Sequence, residues 1–210
     1  MNAIAPTPTA FRILSDDERN RSMYDCLRDW QTDQDVWVYG YGSLIWRPEF
    51  SFVERRSALL QGYHRALCLW SRINRGTPEQ PGLVFGLDQG GDCHGVAFRI
   101  AAAEVPHTFE ALWRREMPSG AYTPLWLPCV TDQGPVQALT FVMNRHTDAY
   151  VPSMPLQQLA DVVHRAHGIN GPCIEYVLET ADALKQSKIV DTKLEQIVHA
   201  LQHYAPTLLT

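Results

Sequence analysis

A strand that ends in two closely spaced glycines constrains this chain more than any other feature. The run Val36–Tyr41 is apolar and aromatic, as in a buried strand, and Gly42-Ser43 and then Leu-Ile-Trp follow it. Glycine reaches backbone angles closed to other residues and lets another group approach the main chain closely. The sequence therefore predicts a turn whose backbone N–H groups hold a small anionic ligand beside a tyrosine ring. A purely structural turn or bulge is the competing interpretation.

Two common glycine motifs do not fit this loop. A dinucleotide-binding loop needs a third glycine three residues after Gly42, where Ile45 stands, and no βαβ pattern follows. A serine-hydrolase turn has the form Gly-x-Ser-x-Gly, but Tyr41 and Ile45 take the places of both glycines around Ser43. The loop is therefore not predicted to bind a dinucleotide or to carry a nucleophilic serine.

Composition places the chain among ordinary soluble globular domains. It has 210 residues, of which 45% are hydrophobic and 20% charged, and its net charge is −5. No basic stripe predicts nucleic-acid binding, no apolar stretch is long enough for a membrane span, and the N-terminus lacks the apolar segment of a signal peptide. The five cysteines are widely spaced and include no Cys-x-x-Cys pair, which indicates reduced thiols in a cytoplasm and no metal site.

A length of 210 residues is that of one domain, or of one domain with a short appendage. We expect an N-terminal extension, residues 1–35, whose first nine residues are frayed, and then a domain over residues 36–204. Ser15 and Glu18 form a capping box, which predicts a helix through about Trp30. The close spacing of the strands favours an antiparallel, meander-like sheet or barrel over alternating βαβ units. The predicted strands are Val36–Tyr41, Arg65–Ser71, Leu83–Leu87, Gly95–Ile100, Tyr122–Val130 and Val136–Met143. The predicted later helices are Ala103–Met117, Pro155–Ala166, Cys173–Ser187 and Asp191–Tyr204.

Three connecting features are also predicted. The chain from Arg47 to about Ala58 is polar and is expected to be irregular. Asp88–His94 is expected to be a turn between two strands. Thr192 and Glu195 form a second capping box at the start of the last helix.

Glu116 is the candidate proton carrier. It lies at the end of the helix predicted for Ala103–Met117, beside apolar Trp113 and before a Pro-Ser-Gly turn. A glutamate next to two arginines is usually a solvated charge, which is the competing interpretation. A glutamate at the edge of an apolar pocket instead loses water, and the increased basicity suits proton transfer near neutral pH.

A series of motifs occurs in one order between about residues 36 and 198. The two most specific are Gly40-Tyr41-Gly42-Ser43-Leu44-Ile45-Trp46 and Arg115-Glu116 followed by Tyr122. Weaker matches lie in Gly62–Arg65, Arg75–Leu83, Gly91–Phe98, Gly168–Tyr176 and Ile189–Leu194. In this order the motifs resemble those of the γ-glutamylcyclotransferases, most closely of the ChaC type that acts on glutathione. The spacing between Glu116 and Tyr122 is one residue looser than the usual form of the family.

The resemblance implies an α+β fold, a small mixed and mostly antiparallel β-barrel with surrounding helices. It also implies that glutathione is cleaved into 5-oxoproline and cysteinylglycine without a cofactor or metal, by attack of the substrate's α-amine on its own γ-carbonyl. Glu116 is then the acid/base residue. The implied substrate-binding residues are Gly40, Tyr41, Gly42, Ser43, Leu44, Ile45, Arg72 and Tyr122.

Other assignments remain open at this point. Arg72, Arg75 and Tyr176 have side chains suited to a ligand, but each is equally well explained by a surface ion pair, a turn or packing. The same chemistry on another γ-glutamyl amino acid or amine is the nearer functional alternative. A non-enzymatic protein that binds a small molecule on the same scaffold is the more distant one, since fold does not determine function.

Overall fold

A closed five-stranded barrel forms the centre of the molecule. The computed structural model describes residues 12–204, so the expectation for the first nine residues lies outside the described part. The strands of the barrel are β1 (Val36–Gly40), β2 (Glu54–Ser71), β3 (Gly82–Ile100), β4 (Tyr122–Thr131) and β5 (Gly134–Met143). The helices are α1 (Asp16–Cys26), α2 (Val105–Glu116), α3 (Leu156–Arg165), α4 (Cys173–Gln186) and α5 (Thr192–Gln202).

The strands follow the order β1-β3-β2-β4-β5 around the barrel. Neighbours pair in antiparallel fashion, apart from short parallel contacts that β5 makes with β1 and β3. This confirms the mixed, mostly antiparallel barrel with surrounding helices. Two short strands, His167–Gly168 and Gly171–Pro172, form a small hairpin before α4. Within residues 12–204, no helix is long and apolar enough to cross a membrane.

The hairpin of β2 and β3 is much longer than the sequence predicted. The two strands pair from Glu54 with Arg99 to Ser71 with Gly82. The irregular segment predicted from Arg47 therefore ends before Glu54 and not near Ala58, and the turn predicted for Asp88–His94 is wrong. The register shifts next to Gly62, which has a φ of 84°, and Gly90 has a φ of 93° on the partner strand. Glycines in this region of backbone space make bulges, which bend a strand without ending it.

Two helix boundaries also differ from the predictions. The capping box of Ser15 and Glu18 is confirmed, but α1 ends at Cys26, not near Trp30. The indole N–H of Trp30 donates instead to the Gln34 carbonyl, which closes the turn that leads into β1. The last helix is capped one residue earlier than predicted, because the Asp191 side chain accepts the N–H of Leu194.

Aromatic packing determines where α2 lies on the barrel. Trp113 meets Phe141 of β5 edge to face at 5.4 Å between ring centroids, and Phe109 stacks on Trp126 of β4. Helix α2 ends at Glu116, two residues before Pro118, whose ring cannot continue a helix. The buried aromatic face of α2 therefore places Glu116 at the edge of the barrel.

Helix α1 of the N-terminal extension packs on the same side of the molecule. The indole N–H of Trp113 donates to Ser22 Oγ at 3.2 Å, and that of Trp126 donates to the Cys26 carbonyl at 2.9 Å. The N–H of Leu14 donates to the Pro118 carbonyl. The extension is thus tied to α2 and β4 through groups that are buried or half-buried.

One buried arginine joins three distant parts of the chain. The side chain of Arg65 in β2 is 2% exposed. Its Nε donates to the Tyr41 carbonyl at 2.5 Å, its Nη2 donates to the His94 carbonyl at 2.6 Å, and its Nη1 pairs with the carboxylate of Asp191. Removing one partner from such a pair leaves the other charge buried and uncompensated, which is strongly destabilising.

We expect Arg65→Met to lower the free energy of unfolding by about 3–5 kcal/mol, because Asp191 and two carbonyl groups lose their buried partner. Urea denaturation of the full chain measures this change. Arg28→Met is the control, since Arg28 forms an exposed ion pair with Asp25 and its loss should change stability by about 0.5 kcal/mol or less. Equal effects of the two substitutions would contradict the role assigned to Arg65.

Candidate active site

Two adjoining spaces open beside the loop that follows β1. The outer chamber has a volume of about 400 Å³ and lies between the end of β2, the end of α2 and the start of α4. The inner recess is much smaller, about 30 Å³, and lies against the loop itself. Four side chains line both spaces and therefore mark their junction: Ser43, Glu116, Tyr122 and Tyr176.

The loop presents unpaired backbone donors to the recess. Ser43–Ile45 form a single 3₁₀ turn, closed by a bond from the N–H of Ile45 to the Gly42 carbonyl. Within the described part of the chain, the N–H groups of Gly42, Ser43 and Leu44 have no hydrogen-bond partner. A Cβ at Gly42 would lie 3.2 Å from the Tyr176 hydroxyl and 3.6 Å from Phe85 Cβ, so glycine gives this turn its close approach to the recess.

The structure brings most of the predicted site residues together. Those that line the recess or the chamber are Tyr41, Gly42, Ser43, Leu44, Arg72, Glu116 and Tyr122. Gly40 and Ile45 line neither space. Gly40 packs beneath the loop, where a Cβ would lie 3.1 Å from the ring of Phe98, and the side chain of Ile45 is buried in the core.

Glu116 occupies an environment that favours its neutral form. Its side chain is 15% exposed, and burial raises the pKa of the carboxyl above its ordinary value. The nearby charge of Arg115 lowers this pKa, whereas the Glu49 carboxylate raises it further, and the sum remains a raised pKa. A carboxyl group with this property is suited to accept and return a proton near neutral pH.

Arg115 connects Glu116 to the loop, a role that the sequence analysis missed. Its Nε lies 3.1 Å from Glu116 Oε1, and its Nη2 donates to Ser43 Oγ at 3.0 Å. Its Nη1 donates to the Arg47 carbonyl at 2.6 Å and to Glu49 Oε2 at 3.0 Å. Every nitrogen of the guanidinium is engaged, so the carboxylate and the loop are held in one arrangement. The only sequence signal was the position of Arg115 beside Glu116.

Three buried tyrosines surround the recess. The hydroxyl of Tyr41 donates to the Phe141 carbonyl, and that of Tyr122 donates to the Phe85 carbonyl, both at 2.9 Å. The hydroxyl of Tyr176 instead accepts the N–H of Phe85 at 3.1 Å. Burial raises the pKa of each phenol above its ordinary value, which keeps all three hydroxyls neutral.

Two buried arginines line the outer chamber, and they differ in their internal contacts. Arg75 donates to the Pro172 carbonyl, pairs with Glu179 and lies over the ring of Tyr176. Arg72 makes one long bond, 3.4 Å, to the Asp148 carbonyl and has no ion pair among the described residues. Arg72 therefore offers the chamber a positive charge that the fold itself does not use.

A larger groove of about 980 Å³ lies between α1 and β4. Its lining includes Trp30, Trp126 and Cys26, and burial raises the pKa of the Cys26 thiol to about 12, which makes that thiol unreactive at neutral pH. Its glutamate, Glu18, is held at a lowered pKa by the capping bonds with Ser15. Neither Cys26 nor Glu18 is therefore suited to proton transfer near neutral pH, and we assign the chemistry to the smaller pair of spaces, which contains Glu116.

Comparison with known proteins shows the family to which this chain belongs. A family model described as ChaC-like protein matches residues 36–204, which contain the loop, Glu116 and all three tyrosines. The chain belongs to the ChaC-like family. Among relatives, the glutathione-specific γ-glutamylcyclotransferase of Escherichia coli strain K12 is 32% identical over 187 residues, which are 89% of this chain and 81% of that protein. Human glutathione-specific γ-glutamylcyclotransferase 1 is 29% identical over 180 residues, which are 82% of this chain and 81% of the relative.

A solved structure supports the fold of this ChaC-like chain. The yeast γ-glutamyl cyclotransferase specific to glutathione superposes with a TM-score of 0.76 at 21% sequence identity. The match covers 81% of this chain and 96% of the yeast chain. At this level of identity the likeness concerns the barrel and its helices.

We expect Arg115→Gln to raise the pKa of Glu116 further, because the substitution removes the positive charge that opposes the effect of burial. A titration of the Glu116 side-chain carboxyl by ¹³C NMR, in the full chain, measures the pKa directly. Arg114→Gln is the matched control, since Arg114 makes no ion pair with Glu116 and its loss should move the pKa much less. An unchanged or lowered pKa in Arg115→Gln would contradict this account of the site.

Proposed function

We propose that this protein is a glutathione-specific γ-glutamylcyclotransferase, an enzyme of the lyase type. It converts glutathione into 5-oxoproline and cysteinylglycine. The observation that carries the proposal is Glu116, a carboxyl group with a raised pKa at the junction of a small recess and a larger chamber. The names of the relatives from Escherichia coli and human support the choice of glutathione as substrate.

The two spaces differ in size as the two halves of glutathione do. The γ-glutamyl arm is the smaller half and directs its α-carboxylate end into the recess, whereas the cysteinylglycine half occupies the chamber. The scissile amide then lies at the junction, next to Glu116. Ring closure is intramolecular, so a recess that holds the arm folded back on itself contributes much of the rate acceleration.

Glu116 carries the proton in both halves of the reaction. The α-amine attacks the γ-carbonyl in its neutral form, and the ionised carboxylate accepts one proton from that nitrogen as the five-membered lactam closes. The carboxyl then gives a proton to the departing cysteinyl nitrogen, and the C–N bond breaks. No water is consumed, and Glu116 ends the cycle in its starting state.

The loop supplies the contacts for the α-carboxylate. The N–H groups of Gly42, Ser43 and Leu44 have no partner among residues 12–204, so they are available to a carboxylate in the recess. Tyr41 and Tyr122 form the walls, and Ser43 adds a hydroxyl at the junction. Gly40 and Ile45 support the loop from behind in this proposal, without contact to the substrate.

Arg72 recognises the carboxylate at the glycine end of glutathione. Its guanidinium is buried, faces the chamber and is largely unused by the fold. A charge-assisted bond between a guanidinium and a carboxylate is stronger than one between neutral groups.

We also place the reaction in the cytoplasm, because all five cysteines are unpaired, as expected in a reducing compartment.

The first test is incubation of the full chain with reduced glutathione, with 5-oxoproline and cysteinylglycine followed by mass spectrometry. Glu116→Gln should lower kcat by at least about a thousandfold, because the amide cannot carry the proton.

The same substitution should stabilise the fold at about pH 7 and not at about pH 4, since the raised pKa means that folding penalises the ionised carboxylate. Thermal unfolding at both pH values measures this effect.

Equimolar products from the wild type and none from a folded Glu116→Gln variant would support both the reaction and the residue. Wild-type turnover in the variant would remove Glu116 from the mechanism. If the wild type forms neither product, a panel of γ-glutamyl amino acids and amines tests the same chemistry on another substrate. Failure with the whole panel would favour a binding protein on this scaffold.

Arg72→Met should raise KM for glutathione by about 10–100-fold, the equivalent of one lost charge-assisted bond, with a smaller change in kcat. Glutathione esterified at its glycine carboxylate is the matched substrate control. The wild type and the variant should process that ester with similar KM values. An equal loss on glutathione and on its ester would show that Arg72 acts through the fold and not through the glycine carboxylate.

A further inference from the structure

We propose that the Tyr176 hydroxyl donates a hydrogen bond to the γ-carbonyl oxygen while that oxygen gains negative charge, and that Tyr176 is thus a second catalytic residue. This inference rests on the proposed function, because it deepens the mechanism at the same site. The sequence analysis left Tyr176 open between packing and ligand contact. The hydrogen-bond pattern around Phe85 now distinguishes these roles.

The scissile carbonyl must lie at the junction of the recess and the chamber, since it links the two halves of the substrate. Among residues 12–204, four side chains line both spaces: Ser43, Glu116, Tyr122 and Tyr176. Glu116 is occupied by the proton transfers. Because the proposed function assigns the loop N–H groups to the α-carboxylate, a side-chain donor for the developing oxyanion is one of the three hydroxyl groups.

The fold leaves the proton of the Tyr176 hydroxyl unused, as it does that of Ser43, whereas it uses the proton of Tyr122. Tyr122 donates its proton to the Phe85 carbonyl, whereas the oxygen of Tyr176 accepts the N–H of the same residue. Tyr176 is 6% exposed, and its hydroxyl donates to no acceptor among the described residues. A buried O–H without an acceptor costs free energy unless a ligand supplies one.

Ser43 is placed differently. Its Oγ accepts Nη2 of Arg115, which holds the hydroxyl on the loop side of the junction next to Glu116. The Tyr176 hydroxyl approaches Gly42 from the opposite wall, on α4. The two hydroxyls therefore face the junction from different elements, and Tyr176 is the one that lies across the loop from Arg115.

The Tyr176 ring is held rigidly before any substrate binds. It packs against Phe85 at 5.6 Å between ring centroids, and the Arg75 guanidinium lies over it at 5.5 Å. Cys173 fixes the first turn of α4 to β3, because its Sγ accepts the N–H of Leu83 and donates to the Leu83 carbonyl. A donor that is already in place needs no reorganisation as the charge develops, which is the main source of oxyanion stabilisation.

The proposed step transfers no proton from Tyr176. As the amine nitrogen bonds to the γ-carbon, the electron pair of the C=O bond moves to oxygen, and the hydroxyl stabilises the resulting charge. When the C=O bond re-forms, the C–N bond to cysteine breaks and that nitrogen takes its proton from Glu116. Burial raises the pKa of the Tyr176 phenol, so the group remains a donor throughout.

Tyr176→Phe should lower kcat for glutathione by about 10²–10³-fold, the usual effect of losing one oxyanion donor, while KM changes by less than about threefold. Tyr39→Phe is the matched control. This substitution also removes a buried hydrogen bond, the one from the Tyr39 hydroxyl to the Cys93 carbonyl. Tyr39 lines neither space, so kcat should stay near that of the wild type. An unchanged kcat in folded Tyr176→Phe overturns the inference, and a rise in KM alone would assign Tyr176 to substrate binding instead.

A second measurement covers the case in which Tyr176→Phe does not fold. A ring-fluorinated tyrosine placed at position 176 keeps the shape of the side chain and lowers the pKa of its phenol. Because a phenolate cannot donate, the loss of kcat at high pH should begin at a lower pH than in the wild type. An unmoved basic limb overturns the inference. If the wild type forms no 5-oxoproline at all, the proposed function itself has failed.

Discussion

The whole site depends on how the fold satisfies one buried charge, the guanidinium of Arg65. That group must keep its partners, because an unpaired cation in the barrel would be strongly destabilising. Its partners are the carbonyl groups of Tyr41 and His94 and the carboxylate of Asp191. The end of β1, the middle of β3 and the start of α5 are therefore fixed relative to one another. The loop after β1 begins from a carbonyl held as firmly as the core, which allows its free N–H groups to face the recess in one orientation.

Arg115 and Glu116 show how the second half of the site is built at some cost to stability. The aromatic face of α2 packs against the barrel and carries its last residue to the cavity, where burial disfavours the ionised carboxyl. Arg115 offsets part of that cost and also holds Ser43. The same two side chains therefore tune the basicity of the site and fix the distance between the proton carrier and the loop.

The sequence predicted the barrel, the helices and the neighbourhood of Glu116, because these depend on apolar periodicity and on motifs that lie within a few residues of one another. It did not predict that Gly90 would bend a strand, since a bulge and a turn make the same local demand for positive φ. Nor did it assign roles to Arg115 and Tyr176. Their partners at Ser43 and Phe85 are close only after folding, so no local pattern reveals them.

Tyr122 and Tyr176 are both hydrogen-bonded to the main chain of Phe85. Tyr122 binds the Phe85 carbonyl, and Tyr176 binds the Phe85 N–H. Every residue type except proline offers that same pair of groups. The positions of the two hydroxyls are therefore insensitive to which side chain the strand carries at this point. Mutational drift along β3 can alter the lining of the cavity while the hydroxyl geometry survives, so enzymes built this way are able to diverge in substrate preference before they lose their chemistry.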